Sequence, residues 1–406
     1  MKFWKFGEKN FVLDPDSLFW AVYEEGEDFE DLREKVAEKL LAKLNEFRFT
    51  VDVRTLYLNV IDDCNANCPY CYIPRERRRR KNVLSIRKIE EALEKFSDVE
   101  NVIFHGAEPI LAREIIFEVA ETFDLEFGIQ TNCIDVTEKD LNFFAEREFN
   151  VGVSLDAPKK EINDALRGKG HFEKAVNTLK VLSDYDCPRT SITTITKINA
   201  PYLAEMVEFL SDYVSVALMN PVRGTTEKAR ELRENPIKLA EKYIKAVERS
   251  IELTKEGKRI VIGDFANIVL GFIAPTSRVL QCDISPCGGG KLFVCLAPDG
   301  IYPCGEFLGF NEFRKDLEKI DPENPFPEML ERVVERIPEC TECWAKHLCG
   351  SPCPAEIYSE GGSMFNKSYY CEFYKALAEH AARVIARDDE KYLIKTGKMR
   401  KVYSFS

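Results

Sequence analysis

Residues 53–71 read Val53-Arg-Thr-Leu-Tyr-Leu-Asn-Val-Ile61-Asp-Asp-Cys64-Asn-Ala-Asn-Cys68-Pro-Tyr-Cys71. The first nine are rich in β-branched and apolar side chains, a strand pattern. Two aspartates break that pattern, and three cysteines come next at C-x3-C-x2-C spacing in what reads as the loop after the strand. Three thiolates packed so closely can hold three irons of a cubane cluster and leave the fourth iron open. A structural zinc site needs four protein ligands and usually closes with a second pair. Zinc is therefore the competing reading of this loop.

Working outward, strand-like runs at 53–61, 101–105, 125–130, 150–155, 190–195 and 213–219 alternate with helical patterns at 85–96, 111–122, 137–147, 172–184 and 202–211. Ser85 and Thr137 read as N-caps. Strand–helix repetition of this kind builds a parallel α/β sheet with right-handed crossovers. Six units are two short of a closed eight-stranded barrel, and pattern alone leaves a partial barrel and an open doubly wound sheet both standing. In barrels, chemistry sits on loops that follow the strands, where this cysteine loop falls.

Fourteen cysteines in 406 residues need a reason. The opening Met-Lys-Phe-Trp-Lys-Phe-Gly-Glu-Lys has charges breaking any apolar stretch, so it does not read as an export signal. The expectation is a soluble, cytoplasmic chain, in which thiols stay reduced and cysteine clusters bind metal or iron–sulfur groups rather than form disulfides. Glutamine occurs only at Gln130 and Gln281 while Glu and Lys abound, a usage seen in heat-adapted proteins. Such organisms are also the exception that tolerates internal disulfides, so spacing has to decide. Net charge is −12, from 57 Lys+Arg against 69 Asp+Glu. That balance argues against broad nucleic-acid binding, and no apolar run of about eighteen residues predicts a membrane helix.

The expected organisation is an N-terminal extension at 1–50 (a short strand and a helix at 29–47), a partial barrel at 51–224, a helical bridge at 225–280, a cysteine-rich domain at 281–371, and a closing helix with a basic tail at 372–406. The cysteine-rich region has weak helical periodicity and cannot build a large apolar core, so bound metal is expected to support its fold.

The loop motif, with Tyr70 just before its third cysteine, resembles the cluster motif of radical S-adenosylmethionine (SAM) enzymes. Elements at successive strand ends extend the same resemblance: Gly106-Ala107-Glu108-Pro109 is similar to the family's Gly-Gly-Glu-Pro, Gln130-Thr131-Asn132 to its Thr-Asn-Gly with Cys133 in place of glycine, and Ser154-Leu155-Asp156 to its Ser-Leu-Asp. The resemblance implies a partial (β/α)6 barrel. It also implies a [4Fe–4S] cluster on Cys64, Cys68 and Cys71 that binds SAM, and reductive cleavage of SAM to a 5′-deoxyadenosyl radical that abstracts hydrogen. SAM would meet Tyr70, Gly106, Ala107, Glu108, Asn132, Ser154 and Asp156, with Arg167 on its methionine carboxylate. Ala107 replaces a glycine, which requires a negative φ there.

Further on, Cys282-x4-Cys287, Cys304, then Cys340-x2-Cys343-x5-Cys349-x3-Cys353 and Cys371 resemble the SPASM module of such enzymes. That implies two auxiliary [4Fe–4S] clusters, one on Cys282, Cys287, Cys304 and Cys353 and one on Cys340, Cys343, Cys349 and Cys371, three clusters in all. Zinc at these places is the alternative. Cys133, Cys187 and Cys295 are left over, of which Cys133 and Cys295 read as packing residues. The resemblance further implies a peptide or protein substrate, as in archaeal-type peptide-modifying members, and a low-potential electron donor such as ferredoxin or flavodoxin. Glu306 is a candidate base, with a solvated carboxylate as the equal alternative. The run Arg75-Glu-Arg-Arg-Arg-Arg-Lys81 reads as a solvated loop or as a dock for an acidic peptide or redox partner. His105 stands at a strand end and reads as structural, with contact to SAM or substrate as the alternative. Two other functions stay open: a same-class enzyme acting on a small molecule in haem or cofactor assembly, and a non-catalytic iron–sulfur carrier or zinc-stabilised binding protein.

Overall fold

The computed structural model describes residues 1–279 and 281–394, without the side chain of Gln281; the basic tail beyond 394 lies outside the described residues. Its strands are β1 (Lys2–Phe6), β2 (Lys9–Leu13), β3 (Trp20–Tyr23), β4 (Thr55–Asn59), β5 (Asn101–His105), β6 (Glu126–Thr131), β7 (Asn150–Ser154), β8 (Arg189–Ile195), β9 (Val216–Pro221), β10 (Val261–Ile262), β11 (Phe293–Ala297) and β12 (Gly300–Tyr302). The chain divides into two compact units. One is Met1–Thr50, Asn235–Gly288 and the chain from Leu330; the other is Val51–Glu234 with Gly289–Met329.

The second unit holds the six expected β/α units. β4 to β9 pair in sequence order, each neighbour parallel to the last, with register running Leu58↔Phe104, Phe104↔Ile129, Ile129↔Val151, Val151↔Arg189 and Ile192↔Leu218. Leu56, Leu58, Val102, Phe104, Ile129, Val151 and Val153 are solvent-free, the near-continuous apolar reading of strands covered on both faces. Both N-caps form: Ser85 accepts from the Lys88 amide, and Thr137 closes a capping box with Asp140.

The two units cut across the expected 281–371 domain. β11, from the cysteine-rich stretch, lies parallel to β4 with Val294↔Leu56 and Leu296↔Leu58, and β12 pairs back on β11. Backbone pairing of an apolar strand therefore joins residues 289–329 to the sheet, whereas cysteine content alone groups them with the cysteines at 340–371.

The first unit opens with an antiparallel β1-β2-β3 sheet, where a single short strand was expected. Phe6 pairs with Lys9 across Gly7-Glu8, and Gly7 takes φ +66°, a two-residue hairpin turn. The helix Glu30–Phe49 comes next. Helices Pro236–Lys255 and Gly263–Ile273 pack on the closing helix Cys371–Ala386, with Tyr243 edge-on to Phe373 at 5.3 Å. Among the described residues no helix is long and apolar enough to cross a membrane.

Candidate functional site

The cysteine loop leaves β4 at Asn59, which is fully buried. Asn59 Nδ2 donates to Asp62 Oδ1 at 2.9 Å, and its Oδ1 accepts from the Ala107 amide at 3.1 Å. The Glu108 amide donates to the Asp63 carbonyl at 3.1 Å, so the ends of β4 and β5 are tied together. Gly106 makes that tie possible. It sits at φ +109°, and a Cβ there would fall 1.7 Å from Asn59 Oδ1. Ala107 keeps a negative φ, as its side chain requires.

Cys64, Cys68 and Cys71 lie near one another: Cys64 feels the charge of Cys71 and Cys68, and Cys71 that of Cys68. Burial pushes Cys64 up to about 12 and raises Cys68 and Cys71 as well. Left alone these thiols stay protonated at pH 7 and are poor free nucleophiles. Their surroundings supply donors: the Ala66 amide points at Cys64 Sγ (3.4 Å), as does Asn132 Nδ2 (3.7 Å). Tyr70 packs in an apolar group with Leu166, Val222 and Ala229, and Cys68 rests against it.

Glu108 organises the next strand end. Its carboxylate accepts from Thr131 Oγ1 (2.7 Å), the Asn132 amide (2.8 Å) and the Ile110 amide (3.3 Å). Burial still pushes it up to about 7. Cys133 takes φ +62°, which explains why the resembling element has glycine here. Its thiol is buried and pushed up to about 12, in keeping with packing, as are buried Cys187 and Cys295.

Asp156 and Arg167 meet each other. Arg167 approaches Asp156 through Nη2–Oδ1 at 2.9 Å and Nε–Oδ2 at 2.8 Å, with side chains 8% and 0% exposed. The same carboxylate accepts from the Tyr70 hydroxyl and the Thr194 amide. Arg167 and Asp156 thus form a buried pair that holds Tyr70 from behind. Ser154 ends β7 half-buried.

A second group near this loop joins His105 and Glu306 to Tyr72, which sequence reading missed. Tyr72 and His105 stack with ring centroids 6.2 Å apart, the hydroxyl 3.4 Å from Nδ1. Gly305 fits against both: its Cβ would lie 3.3 Å from the imidazole and 3.4 Å from the hydroxyl. Glu306 comes directly after it, half-buried, and its charge bears on Tyr72 and Cys71. Burial pushes His105 down to about 4, so it is neutral at pH 7. The position of Tyr72, directly after the third cysteine, was the available signal.

The basic run separates. Arg77 is buried and bound to Asp62 (2.9 Å), Asp299 (2.6 Å) and Tyr302, while Arg78 reaches the Ala66 carbonyl of the cysteine loop at 3.2 Å. Arg75, Arg79, Arg80 and Lys81 stay exposed.

In the first unit, Cys340, Cys343, Cys349 and Cys371 line one cavity with Val334, Ala345, Lys346, Ser351, Ser368 and Lys375. The Cys343 amide donates to the Cys340 carbonyl at 3.0 Å, closing that turn. Burial raises Cys340, Cys349 and Cys371. Cys282, Cys287 and Cys353 belong to the same unit and Cys304 to the other. Cys282 is exposed; Cys287 and Cys353 are buried. Among the described residues no three His, Cys, Asp or Glu side chains converge as they would on a single ion.

Residues 58–212 match the Radical SAM superfamily. An uncharacterised protein of Archaeoglobus fulgidus is 50% identical over 401 residues, covering 97% of each chain. The cysteine-type anaerobic sulfatase-maturating enzyme of Clostridium novyi is 23% identical over 355 residues, 78% of this chain and 92% of that one. Among solved structures, native anSMEcpe with bound AdoMet and Cp18Cys peptide superposes with a TM-score of 0.69 at 18% identity, over 82% of this chain and 99% of that one.

Proposed function

We propose, from the premise that this chain belongs to the radical SAM superfamily and carries its partial-barrel fold, that it is a maturase that abstracts hydrogen from a peptide or protein. The observation that carries the reading is the gathering of Cys64, Cys68 and Cys71 at the end of β4, beside a strand-end network on Glu108 and Asn132. The similarity to a sulfatase-maturating enzyme supports a peptide substrate. When bound, the cluster and SAM supply a 5′-deoxyadenosyl radical. The three cysteines fit a cluster with one open iron, because they stand half-buried in one loop, with amide donors directed at Cys64.

On this reading, Ala107, Glu108, Asn132 and Ser154 line the SAM side of the loop. Gly106 sets the approach of that backbone, and the Asp156–Arg167 pair fixes Tyr70 against Cys68. Glu306 takes a substrate proton, with neutral His105 and Tyr72 positioned beside it as hydrogen-bonding partners. Cys282, Cys287, Cys304 and Cys353, and likewise Cys340, Cys343, Cys349 and Cys371, would each hold a further [4Fe–4S] group suited to exchange electrons with a low-potential donor.

The test is anaerobic reconstitution and then reduction in the presence of SAM, with 5′-deoxyadenosine measured by chromatography. Wild type should hold about twelve irons, three cubanes of four, and release 5′-deoxyadenosine. The C64A/C68A/C71A variant should hold about eight and release none. Zinc alone, or 5′-deoxyadenosine from the triple variant, would refute the reading. Small cysteine-containing peptides encoded beside the gene are the substrates to add first, with a mass change in the peptide as the readout.

A further inference from the structure

Arg332 is completely buried, and it has no carboxylate partner among the described residues. Its guanidinium donates only to carbonyls: Nε to Met364 (3.1 Å), Nη1 to Gly350 (2.7 Å) and Nη2 to Ser351 (2.6 Å). Gly350 and Ser351 lie inside the Cys349-x3-Cys353 segment. Ser351 is held at φ +52°, outside the usual range for a residue with a side chain. Its hydroxyl bonds Cys340 and its amide bonds Cys349, while its Oγ also accepts from the Ser368 amide at 3.0 Å. Arg332 therefore grips the backbone that presents two thiols of the four-cysteine cavity.

A buried cation held only by neutral carbonyls is costly, because carbonyl dipoles do not replace a counter-charge. Burial accordingly lowers its pKa, and the groups opposing that are four thiols: Cys287, Cys353, Cys340 and Cys349. Two come from each cysteine quartet. Three other buried arginines face acids instead: Arg77 has Asp62 and Asp299, Arg167 has Asp156, and Arg48 has Glu335 at 2.8 Å; buried Arg278 also donates to carbonyls, those of Pro275, Asp283 and His347.

We propose that Arg332 is the internal counter-cation of the two auxiliary sites, a positioning residue whose charge is balanced by thiolate-ligated clusters and which favours their reduced state. The proposal rests on the auxiliary-cluster reading. A cubane on four thiolates is net negative, and accepting one electron from a low-potential donor makes it one unit more so. A fixed positive charge in a dry, low-dielectric site stabilises the reduced form more than the oxidised form. Because thiols of both quartets bear on it, one arginine biases both clusters together. It also makes loading and folding mutually dependent, since the charge is uncompensated until thiolates form.

The experiment uses full-length, reconstituted protein in the C64A/C68A/C71A background, so that only auxiliary iron is read. Arg332→Met keeps the length of the side chain and removes its charge; Arg332→Lys keeps the charge. Iron is counted, and each sample is titrated with dithionite under electron paramagnetic resonance. In R332M the ratio of oxidised to reduced cluster at a fixed potential should rise at least tenfold, which for a one-electron couple is 59 mV. R332K should stay within threefold of the parent. If R332M fails to hold iron while R332K holds it, the requirement for charge is upheld. Full iron with unmoved potentials in R332M, or loss of iron in R332K as complete as in R332M, overturns the role assigned to Arg332. A parent with Arg332 intact that holds no auxiliary iron overturns the cluster reading itself, a distinguishable result.

Discussion

Replacing Arg167 with Met tests whether the buried pair behind Tyr70 is what holds that side of the site. The substitution leaves the Asp156 carboxylate 0% exposed, with its two contacts to Arg167 at 2.8 and 2.9 Å gone. Tyr70 and the Thr194 amide still donate to it, so the loss belongs near the lower end of the roughly 3–5 kcal/mol that removing one partner of a buried ion pair costs. For a compact unit of this size, about 3 kcal/mol corresponds to a fall in Tm of roughly 6–12 °C. The reconstituted protein is monitored by circular dichroism during heating, alongside D156N and the double variant. With both substitutions in place no unpaired charge is left, so the double variant should recover more than half of the R167M loss, a coupling of about 1.5 kcal/mol or more. An R167M variant within about 2 °C of wild type, or a double variant no better than the sum of the singles, would refute the claim that these charges exist for each other.

Gly106→Ala should disable the first site without touching a cysteine. Its Cβ would collide with Asn59 Oδ1 and demand φ +109° of an alanine, so iron should fall from about twelve to about eight per chain, and unchanged iron with full SAM cleavage would count against the tie between β4 and β5. Glu248 gives a pH signature. It lies 2.7 Å from both His380 and Arg387, and although burial opposes ionisation, their hydrogen bonds hold its pKa down at about 2 from the ordinary 4.5. A depressed carboxylate stabilises above its unfolded pKa and loses that contribution as pH falls through the folded one. E248Q should therefore be less stable than wild type at about pH 6, and the gap in Tm should close between the unfolded pKa of 4.5 and the folded value of about 2; a gap that stays constant throughout that interval would show that the ion pair contributes nothing.

Local features were the legible part of this molecule. The run 101–105 is β5 to the residue, and Ser85 and Thr137 cap the helices their chemistry announces. The run 53–61 shortens to β4 because Val60 and Ile61 leave the ladder, Ile61 bridging to Val83 instead. The β1–β2 hairpin was also there to be read, in Gly7 with charges alternating around aromatic residues. What pattern could not supply was pairing at a distance. Nothing local in Phe293–Ala297 says that its partner is β4, and nothing near Asp156 says that Arg167 and Tyr70 both bond it. Arg332 is similarly mute in sequence, since an arginine before two valine residues looks like any surface cation until its burial is known.

The pairing of β11 with β4 sets a schedule for the growing chain. About 240 residues separate Leu58 from its partner Leu296. At a synthesis rate of about 5–20 residues per second, β4 leaves the ribosome roughly 12–50 s before the strand that will cover its flank. Through that interval its outer edge is a row of unpaired amides and carbonyls next to three free thiols, open to other nascent strands and to oxidants. A fragment that stops at Glu234 would live permanently in that state. Heterologous production should therefore keep residues 289–329 in the same polypeptide, and should favour slow, anaerobic growth in which iron–sulfur assembly factors reach the loop before its neighbour arrives.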